Sequence, residues 1–167
     1  MSQVVTTYLE IPSYNHFRPA YLNNPEIEVK QFKEPLPAFY RFLYSTVGRD
    51  YEWIDRLHWR DEYLHRHLSS PSVSVWVAYY RGTPAGYIEL QQEAEETGTE
   101  VAYFGLISAF QGQGLGKHLL SFGLEQAWQE NPTRVWLHTC SLDGPHALCN
   151  YQKRGFSIYK QIIEKAA

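Results

Sequence analysis

The segment Phe110–His118 reads F-Q-G-Q-G-L-G-K-H, and the rest of the chain is best interpreted outward from it. A nearly continuous apolar run, Val101–Ile107, precedes this segment, and apolar residues at helical spacing follow it over Gly114–Gln129. Continuous apolarity is typical of a strand that is buried on both faces, and apolar residues every three to four positions predict a helix. The glycine-rich segment is therefore predicted to join a central strand to the N-terminus of a helix.

The composition of this segment favours a bound phosphate. Gly112, Gly114 and Gly116 lack the side chains that would keep a phosphate away from backbone N–H groups. At a helix N-terminus those donors have no partner within the helix, and the helix dipole adds about half a positive charge. Lys117 supplies a full positive charge beside them.

Two familiar phosphate-binding motifs do not fit the spacing. A Walker A loop requires glycine at position 111 and serine or threonine at position 118, where this chain has Gln111 and His118. A dinucleotide-binding motif requires a third glycine at the position of Lys117 and a strand-helix-strand unit around it. Both interpretations are therefore excluded.

Strand and helix patterns alternate along the chain and predict a mixed α/β fold (α+β) in a single domain, residues 1–167. The turns between the middle strands are predicted at Arg81–Pro84 and Glu93–Thr99. The predicted strands are Val4–Leu9, Ile27–Phe32, Ser72–Tyr80, Ala85–Leu90, Val101–Ile107, Arg134–Cys140 and Phe156–Ile163, and the predicted helices are Pro37–Leu68, divided at Gly48, then Gly114–Gln129 and Pro145–Lys153.

Composition excludes several classes of function. The formal net charge is −3 and no block of Lys or Arg stands out, so no nucleic-acid partner is expected. No stretch approaches the ~20 apolar residues of a membrane span, and Met1–Ile11 does not resemble a secretory signal. We therefore expect a cytoplasmic protein that does not associate with membranes, in which Cys140 and Cys149 are free thiols.

Three segments together resemble the GNAT acetyltransferase superfamily over Ser72–Ile163. They are the loop Gln-x-x-Gly-x-Gly at Gln111, Gly114 and Gly116, the strand Glu100–Ile107 before it, and Asn150-Tyr151-x-x-x-Gly155-Phe156 after it. The resemblance implies a mostly antiparallel central sheet flanked by helices, with a V-shaped opening between two central parallel strands. It also implies an N-acetyltransferase that uses acetyl-CoA as co-substrate and no metal.

The resemblance further implies direct transfer to a primary amine, on a small molecule or a peptide, within a ternary complex. Residues 72–163 would bind the coenzyme, and residues 12–70 would lie on the acceptor side. The strand end Gly105–Ile107 would offer backbone N–H groups to the pantetheine arm, with Gly105 permitting a bulge. The implied coenzyme-binding residues are Gly105, Leu106, Ile107, Gln111, Gly112, Gln113, Gly114, Leu115, Gly116, Lys117 and Asn150.

Acetyl transfer requires a base, because an alkyl ammonium with a pKa near 10.4 is almost fully protonated at neutral pH. Glu89 and Glu100 lie on neighbouring predicted strands. A turn near Ala94 and Glu95 would place them opposite each other on one face, where repulsion raises one pKa. The alternative is that both are solvated acids.

The leaving thiolate requires a proton donor, and the resemblance assigns this role to Tyr151 as general acid. The alternative is an aromatic residue packed beneath the last strand. The resemblance is incomplete nearby, because Asp143-Gly144-Pro145 stands where the family often has Asn. The sequence leaves open whether Asp143 takes over that polar role.

The acceptor site is predicted around the turn between the first two helices, at Tyr44, Arg49, Tyr51 and Trp53. Aromatic residues with polar tips often line pockets, and Arg49 would pair with an acceptor carboxylate. Core packing is the alternative explanation for the aromatic residues of this region.

Other interpretations remain open at the level of sequence. A coenzyme-binding sensor without turnover would keep the same loop. A zinc site at His138, Cys140, His146 and Cys149, or a Cys nucleophile with a His base, would be a different chemistry, although the spacing is unlike that of structural zinc motifs. The sequence does not identify the acceptor amine, and it does not show whether acyl groups longer than acetyl are used. It also leaves the oligomeric state open and is compatible with a homodimer.

Overall fold

The computed structural model of the chain describes residues 2–94 and 98–165. The strands are β1 (Gln3–Ile11), β2 (Ile27–Gln31), β3 (Val73–Tyr80), β4 (Thr83–Gln92), β5 (Thr99–Leu106), β6 (Val135–Cys140) and β7 (Ser157–Lys165). The α-helices are α1 (Pro37–Gly48), α2 (Asp61–Ser69), α3 (Leu115–Gln129) and α4 (Ala147–Lys153).

All seven strands form one sheet in the order β2-β3-β4-β5-β6-β1-β7. Neighbouring strands are antiparallel except for β5 and β6, which are parallel. These two strands pair only at Thr99 with Val135 and at Glu100 with Trp136, and they separate beyond that point. The mixed, mostly antiparallel sheet and the V-shaped opening between parallel strands are therefore confirmed.

Each face of the sheet carries its own apolar core. On one face α3 packs against β4 and β5, with Leu119, Leu120 and Leu124 fully buried. On the other face α1 and α2 cover β3 and β4, around Tyr40 and Tyr87. The helices thus enclose the centre of the sheet from both sides and leave the opening between β5 and β6 accessible.

Strand β1 lies far from its neighbours in sequence. It pairs antiparallel with β6 on one side, where Tyr8 faces His138, and with β7 on the other, where Val5 faces Ile163. Its Leu9 and Ile11 are completely buried in the core beneath α3. The first strand therefore connects the last two strands of the chain.

The predicted elements are all present, with shifted boundaries. Helix α1 ends at Gly48, as predicted. Glycine is required there because a Cβ would lie 2.6 Å from the side chain of Trp53. Pro145 was predicted inside the last helix, which instead begins at Ala147. The first hairpin turn needs only Arg81 and Gly82, both with positive φ, so the predicted turn residue Pro84 belongs to β4.

The predicted pairing of Glu89 with Glu100 is wrong. A register shift after Glu89 places it opposite Tyr103, whereas Glu100 faces Gln91. The two carboxylates share a face of the sheet but are not directly opposite each other. The bulge lies at this shift and not at Gly105, whose Cβ would instead lie 2.6 Å from Val47. Of the predicted turn, Glu95 lies outside the described residues.

Candidate active site

A groove with a volume of about 650 Å³ occupies the opening between β5 and β6. One end is formed by the glycine-rich loop and the start of α3, and the other by the segment between α1 and α2 together with β4 and β5. The groove is therefore long enough to bring residues from both ends of the sheet to one cavity.

The glycine-rich loop has the backbone geometry that a phosphate cradle requires. Gly112 and Gly114 both have φ of +80°, a conformation that side chains disfavour. A Cβ at Gly112 would meet nothing within 4 Å, and one at Gly116 would approach only Leu106 and Asn150, at 3.6 and 3.9 Å. The space beside these glycines thus belongs to the groove, which Gly112, Gly114 and Gly116 all line.

The N-terminus of α3 faces this space without a side-chain cap. Gly114 is the capping residue and makes no side-chain hydrogen bond to the first turn. The exposed Lys117 also lines the groove. Unpartnered N–H groups, the helix dipole and a lysine together form a site for an anion, and the residues present fit the pyrophosphate of acetyl-CoA.

A segment of chain before β2 supports the loop from behind. The backbone N–H of Leu22 donates to Nδ1 of His118 at 3.0 Å, and that of Ala20 donates to Oγ of Ser121 at 2.8 Å. Burial lowers the pKa of His118, which favours the neutral ring that accepts this bond. No local pattern in the sequence indicates this supporting role for His118.

The open edge of β5 borders the groove. Gly105 and Leu106 line it, and the carbonyl of Leu106 lies 3.5 Å from Nε2 of Gln111. The N–H of Ile107 instead donates to the carbonyl of Ala85 at 2.8 Å. The expectation that Ile107 offers its N–H to the coenzyme is therefore wrong, because that donor already has a partner.

Tyr151, on α4, is nearly completely buried and lines the groove. Its ring packs edge-on against Phe104 and Phe156, with centroids 6.1 and 5.9 Å away. Burial, and to a lesser degree the negative charge of Asp143, raises the pKa of its hydroxyl. A phenol held in its protonated form can donate a proton to a group inside the groove.

Asp143 holds the turn between β6 and α4. Its carboxylate accepts hydrogen bonds from the hydroxyl of Thr139 and, at 3.0 Å, from the N–H of Cys140. These bonds orient the segment that leads into α4 and therefore position Tyr151. The side chain of Asp143 also lines the groove.

Glu100 lies on β5 where the two parallel strands begin to separate. Its side chain is 22% exposed and lines the groove. Burial and the nearby charge of Glu93 raise its pKa, an effect that Arg56 partly offsets. Nε2 of the half-exposed His138 is 3.9 Å from Oε1 of Glu100 and connects it to solvent.

Glu89 has a different environment, although it shares the same sheet face. Its side chain is 0% exposed and is absent from the groove lining within the described residues. Nη1 of Arg56 lies 2.6 Å from Oε2, Nε2 of His67 lies 3.0 Å from the same oxygen, and the hydroxyl of Tyr40 donates to Oε1 at 2.7 Å. Burial favours the neutral acid, but these partners hold the pKa of Glu89 below its usual value. This geometry favours a role in holding Arg56 over one as a base.

Of the predicted acceptor residues, Tyr51 and Trp53 line the groove. The hydroxyl of Tyr51 accepts a hydrogen bond of 2.7 Å from Nε2 of Gln111, which links the acceptor side to the glycine-rich loop. Tyr44 is buried, and its hydroxyl accepts the N–H of Arg56 at 3.2 Å. Arg49 is exposed outside the groove.

The structure thus brings most of the predicted site residues together and separates the others. Those that line the groove are Tyr51, Trp53, Glu100, Gly105, Leu106, Gln111, Gly112, Gly114, Gly116, Lys117, Asn150 and Tyr151, and those that do not are Tyr44, Glu89, Ile107, Gln113, Leu115 and Arg49. Sequence reasoning did not find Arg56, Gln91 and Tyr103, which also line it. Their side chains carry no local motif, and only the sheet and the bulge bring them to the cavity.

The alternative metal site is not assembled. Within residues 2–94 and 98–165, no three His, Cys, Asp or Glu side chains are grouped so that they could hold a metal ion. The four residues considered for zinc, His138, Cys140, His146 and Cys149, therefore do not form such a group. Both cysteines are free. Over the same part of the chain, no helix is long and apolar enough to cross a lipid bilayer.

The chain also matches a known protein family. Residues 37–156 match the model of the Acetyltransferase (GNAT) family. This match covers more than half of the chain, including the loop, β5 and Tyr151.

Similar solved structures have the same fold at low sequence identity. A GCN5-related N-acetyltransferase from Kribbella flavida is 17% identical with a TM-score of 0.69, and the match covers 95% of this chain and 56% of that one. One from Sphaerobacter thermophilus is 14% identical with a TM-score of 0.71, covering 98% and 51%. An aminoglycoside acetyltransferase from an uncultured soil metagenomic sample is 16% identical with a TM-score of 0.66, covering 78% and 88%. The chain thus spans little more than half the length of the first two proteins.

Proposed function

Because the chain belongs to the GNAT acetyltransferase family, we propose that it transfers an acetyl group from acetyl-CoA to a primary amine by direct attack in a ternary complex. The observation that best supports this proposal is the content of the groove. An anion-binding helix terminus lies at one end, and a partly buried carboxylate and a buried phenol, Glu100 and Tyr151, line the same cavity. These are the groups that acetyl transfer to an amine requires.

The coenzyme end binds by its backbone. The N–H groups around Gly112, Gly114 and Gly116 hold the pyrophosphate, and Lys117 adds a positive charge. Acetyl-CoA supplies the acetyl group as an activated thioester. Beyond Glu100 one edge of β5 is unpaired, so its N–H groups are available to the pantetheine arm and to the negative charge that develops on the thioester oxygen.

Glu100 accepts the proton that the acceptor ammonium must lose before it can attack. Its raised pKa makes it a stronger base than an ordinary carboxylate. The side chain of Glu100 is 22% exposed, so the proton can pass from its carboxylate to solvent.

Tyr151 acts on the leaving group, the sulfur of the coenzyme. The neutral amine nitrogen bonds to the thioester carbon and, now positively charged, releases its second proton to solvent. The carbon–sulfur bond breaks, and the sulfur takes the hydroxyl proton of Tyr151. Because a free thiol has a pKa of about 8.5, protonation makes the sulfur a better leaving group at neutral pH. Solvent then returns a proton to Tyr151.

The direct test is release of free CoA from acetyl-CoA with a panel of primary amines. Amine-dependent release, with the acetylated amine identified by mass, is the expected result. Tyr151→Phe should still bind acetyl-CoA but lower kcat by about 100-fold or more. Tyr159→Phe, on the exposed strand β7, is the matched control and should leave the rate unchanged.

Binding is measured separately by thermal stability. Acetyl-CoA at 100 times its Kd should stabilise the protein by about 2.7 kcal/mol. Stabilisation without CoA release for any amine would contradict the enzyme and favour a coenzyme-binding sensor. No stabilisation would contradict both.

A further inference from the structure

All side-chain hydrogen bonds of the Arg56 guanidinium within the described residues come from one of its nitrogens, Nη1. This nitrogen donates to the hydroxyl of Tyr40 and to both carboxylate oxygens of Glu89, at 2.7 and 2.6 Å. Because Glu89 is itself fully enclosed and also bound to His67, it cannot turn toward the groove. The ion pair therefore fixes the orientation of the guanidinium.

Two aromatic rings cover the guanidinium. Its central carbon lies 4.6 Å from the ring centre of Trp59 and 4.5 Å from that of Tyr103. These contacts, together with the bonds from Nη1, leave Nε and Nη2 as its remaining donors. Neither atom is among the buried polar atoms that lack a partner in the described chain. The two donors are therefore not completely enclosed by protein.

Arg56 is 9% exposed, and it lines the groove beside Tyr103 and Glu100. A second recess that it borders holds only about 70 Å³, which is too small for an acceptor molecule. A directed, nearly buried guanidinium edge is a recognition element for a carboxylate, which binds arginine through two parallel hydrogen bonds. Glu100, in the same cavity, is complementary to a cationic amine.

We propose that Arg56 binds a carboxylate of the acceptor, so that the acceptor is an amine that also carries a carboxylate, such as an amino acid. This inference rests on the proposed acetyl transfer. Glu89, Trp59 and Tyr103 act as positioning residues, because they touch Arg56 and orient it. The acceptor amine lies toward Glu100 and its carboxylate toward Arg56. A polycationic acceptor is disfavoured, because it would place positive charge against the accessible donors of Arg56.

The test compares amino acids with their carboxamides as acceptors for the unmodified enzyme. Because amidation lowers the pKa of the amine, kcat/KM is calculated for the neutral amine in each case. The expected result is a preference of tenfold or more for the carboxylate form, mainly through KM. Equal use of both forms, or preference for polyamines, would overturn the inference while the proposed acetyl transfer stands.

Two variants identify the residue responsible. Arg56→Lys keeps the charge but loses the planar fork, and the ratio of kcat/KM for acid over amide should fall toward one. Comparing this ratio between enzymes cancels differences in amine pKa. In Glu100→Gln, both substrates should slow by the same factor, so the ratio should persist.

If Arg56→Lys does not fold, the double variant Arg56→Met with Glu89→Met removes both buried charges at once, which proteins often tolerate. It should also abolish the preference. A ratio that survives in either variant would overturn the role of Arg56. Absence of CoA release with every amine, despite acetyl-CoA binding, would instead contradict the proposed function itself.

Discussion

The two ends of the groove are built in different ways. The end proposed for the coenzyme is drawn from one short segment between Gly105 and Lys117, where the proposed contacts are mainly backbone N–H groups. The acceptor end is assembled from side chains such as Arg56, Gln91 and Glu100, which lie on separate elements. A backbone site tolerates little change in local sequence, whereas a side-chain site can be rebuilt residue by residue on the same fold.

The two carboxylates near the acceptor end also differ from each other in their surroundings. Glu89 is enclosed and paired, whereas Glu100 is partly exposed to the groove. The strand shift between them, which sets Glu89 against Tyr103, separates a structural carboxylate from one that is accessible to substrate.

Exchanging these carboxylates for amides should have the largest effect. Glu89→Gln leaves the buried charge of Arg56 unpaired, and we expect a loss of about 3–5 kcal/mol in the free energy of unfolding. Glu100→Gln should change stability by less than about 1 kcal/mol but should slow acetyl transfer. Urea denaturation and initial rates distinguish the two. Equal losses of stability would show that the carboxylates do not differ as described.

A matched pair of glycines tests the coenzyme end. Gly112 and Gly82 both have φ near +80° with nothing within 4 Å of an added Cβ, but only Gly112 lines the groove. Each change to Ala should cost about 1–2 kcal/mol of stability through backbone strain. Only Gly112→Ala should also weaken acetyl-CoA binding, by about tenfold, because the methyl group enters the phosphate space. Equal affinities for the coenzyme in calorimetry would remove the loop from the proposed site.

The pH dependence of the rate should sharpen the role of Glu100. Its pKa is raised, and the base must be ionised, so kcat/KM should fall with decreasing pH through a value above that of an ordinary glutamate. Glu93→Gln removes one cause of the raised pKa and should move this limb to lower pH. Measurement of kcat/KM against pH in both enzymes provides the test. If kcat/KM falls over the same pH range in both enzymes, a group other than Glu100 controls the rate at low pH.

The smallest effect is expected at His118, behind the loop. Its pKa is lowered in the folded protein, so the unfolded chain binds more protons once the pH falls below about 6.5, the ordinary pKa of histidine. Stability should therefore decrease as the pH falls below that value and should be unaffected by this group above it. His118→Asn should reduce the difference in Tm between pH 7.5 and 5.5. An identical difference in both proteins would contradict the assignment.

Features that depend on local sequence could be predicted, whereas features that depend on contacts between distant segments could not. The strands and most helices depend on local patterns, and their predicted bounds agree with the structure to within a few residues. The exception is the second helix, which was predicted to follow Gly48 directly but begins only at Asp61. The pairing of Glu89 was missed because a bulge shifts the register without a local signal. Arg49 was predicted to bind the acceptor and Arg56 was not considered, because only the tertiary partner Glu89, on a strand of the sheet, marks Arg56 within the same interhelical segment.

The position of β1 has a consequence for how the molecule reaches its folded state. Residues 3–11 leave the ribosome well before both of their hydrogen-bonding partners, β6 and β7. Until those partners emerge, Leu9 and Ile11 have no core to enter. Closing this end of the sheet must therefore wait until β6 and β7 have been synthesised, and contacts so distant in sequence form slowly. During that interval a nascent chain exposes an unpaired, apolar strand that a chaperone could bind.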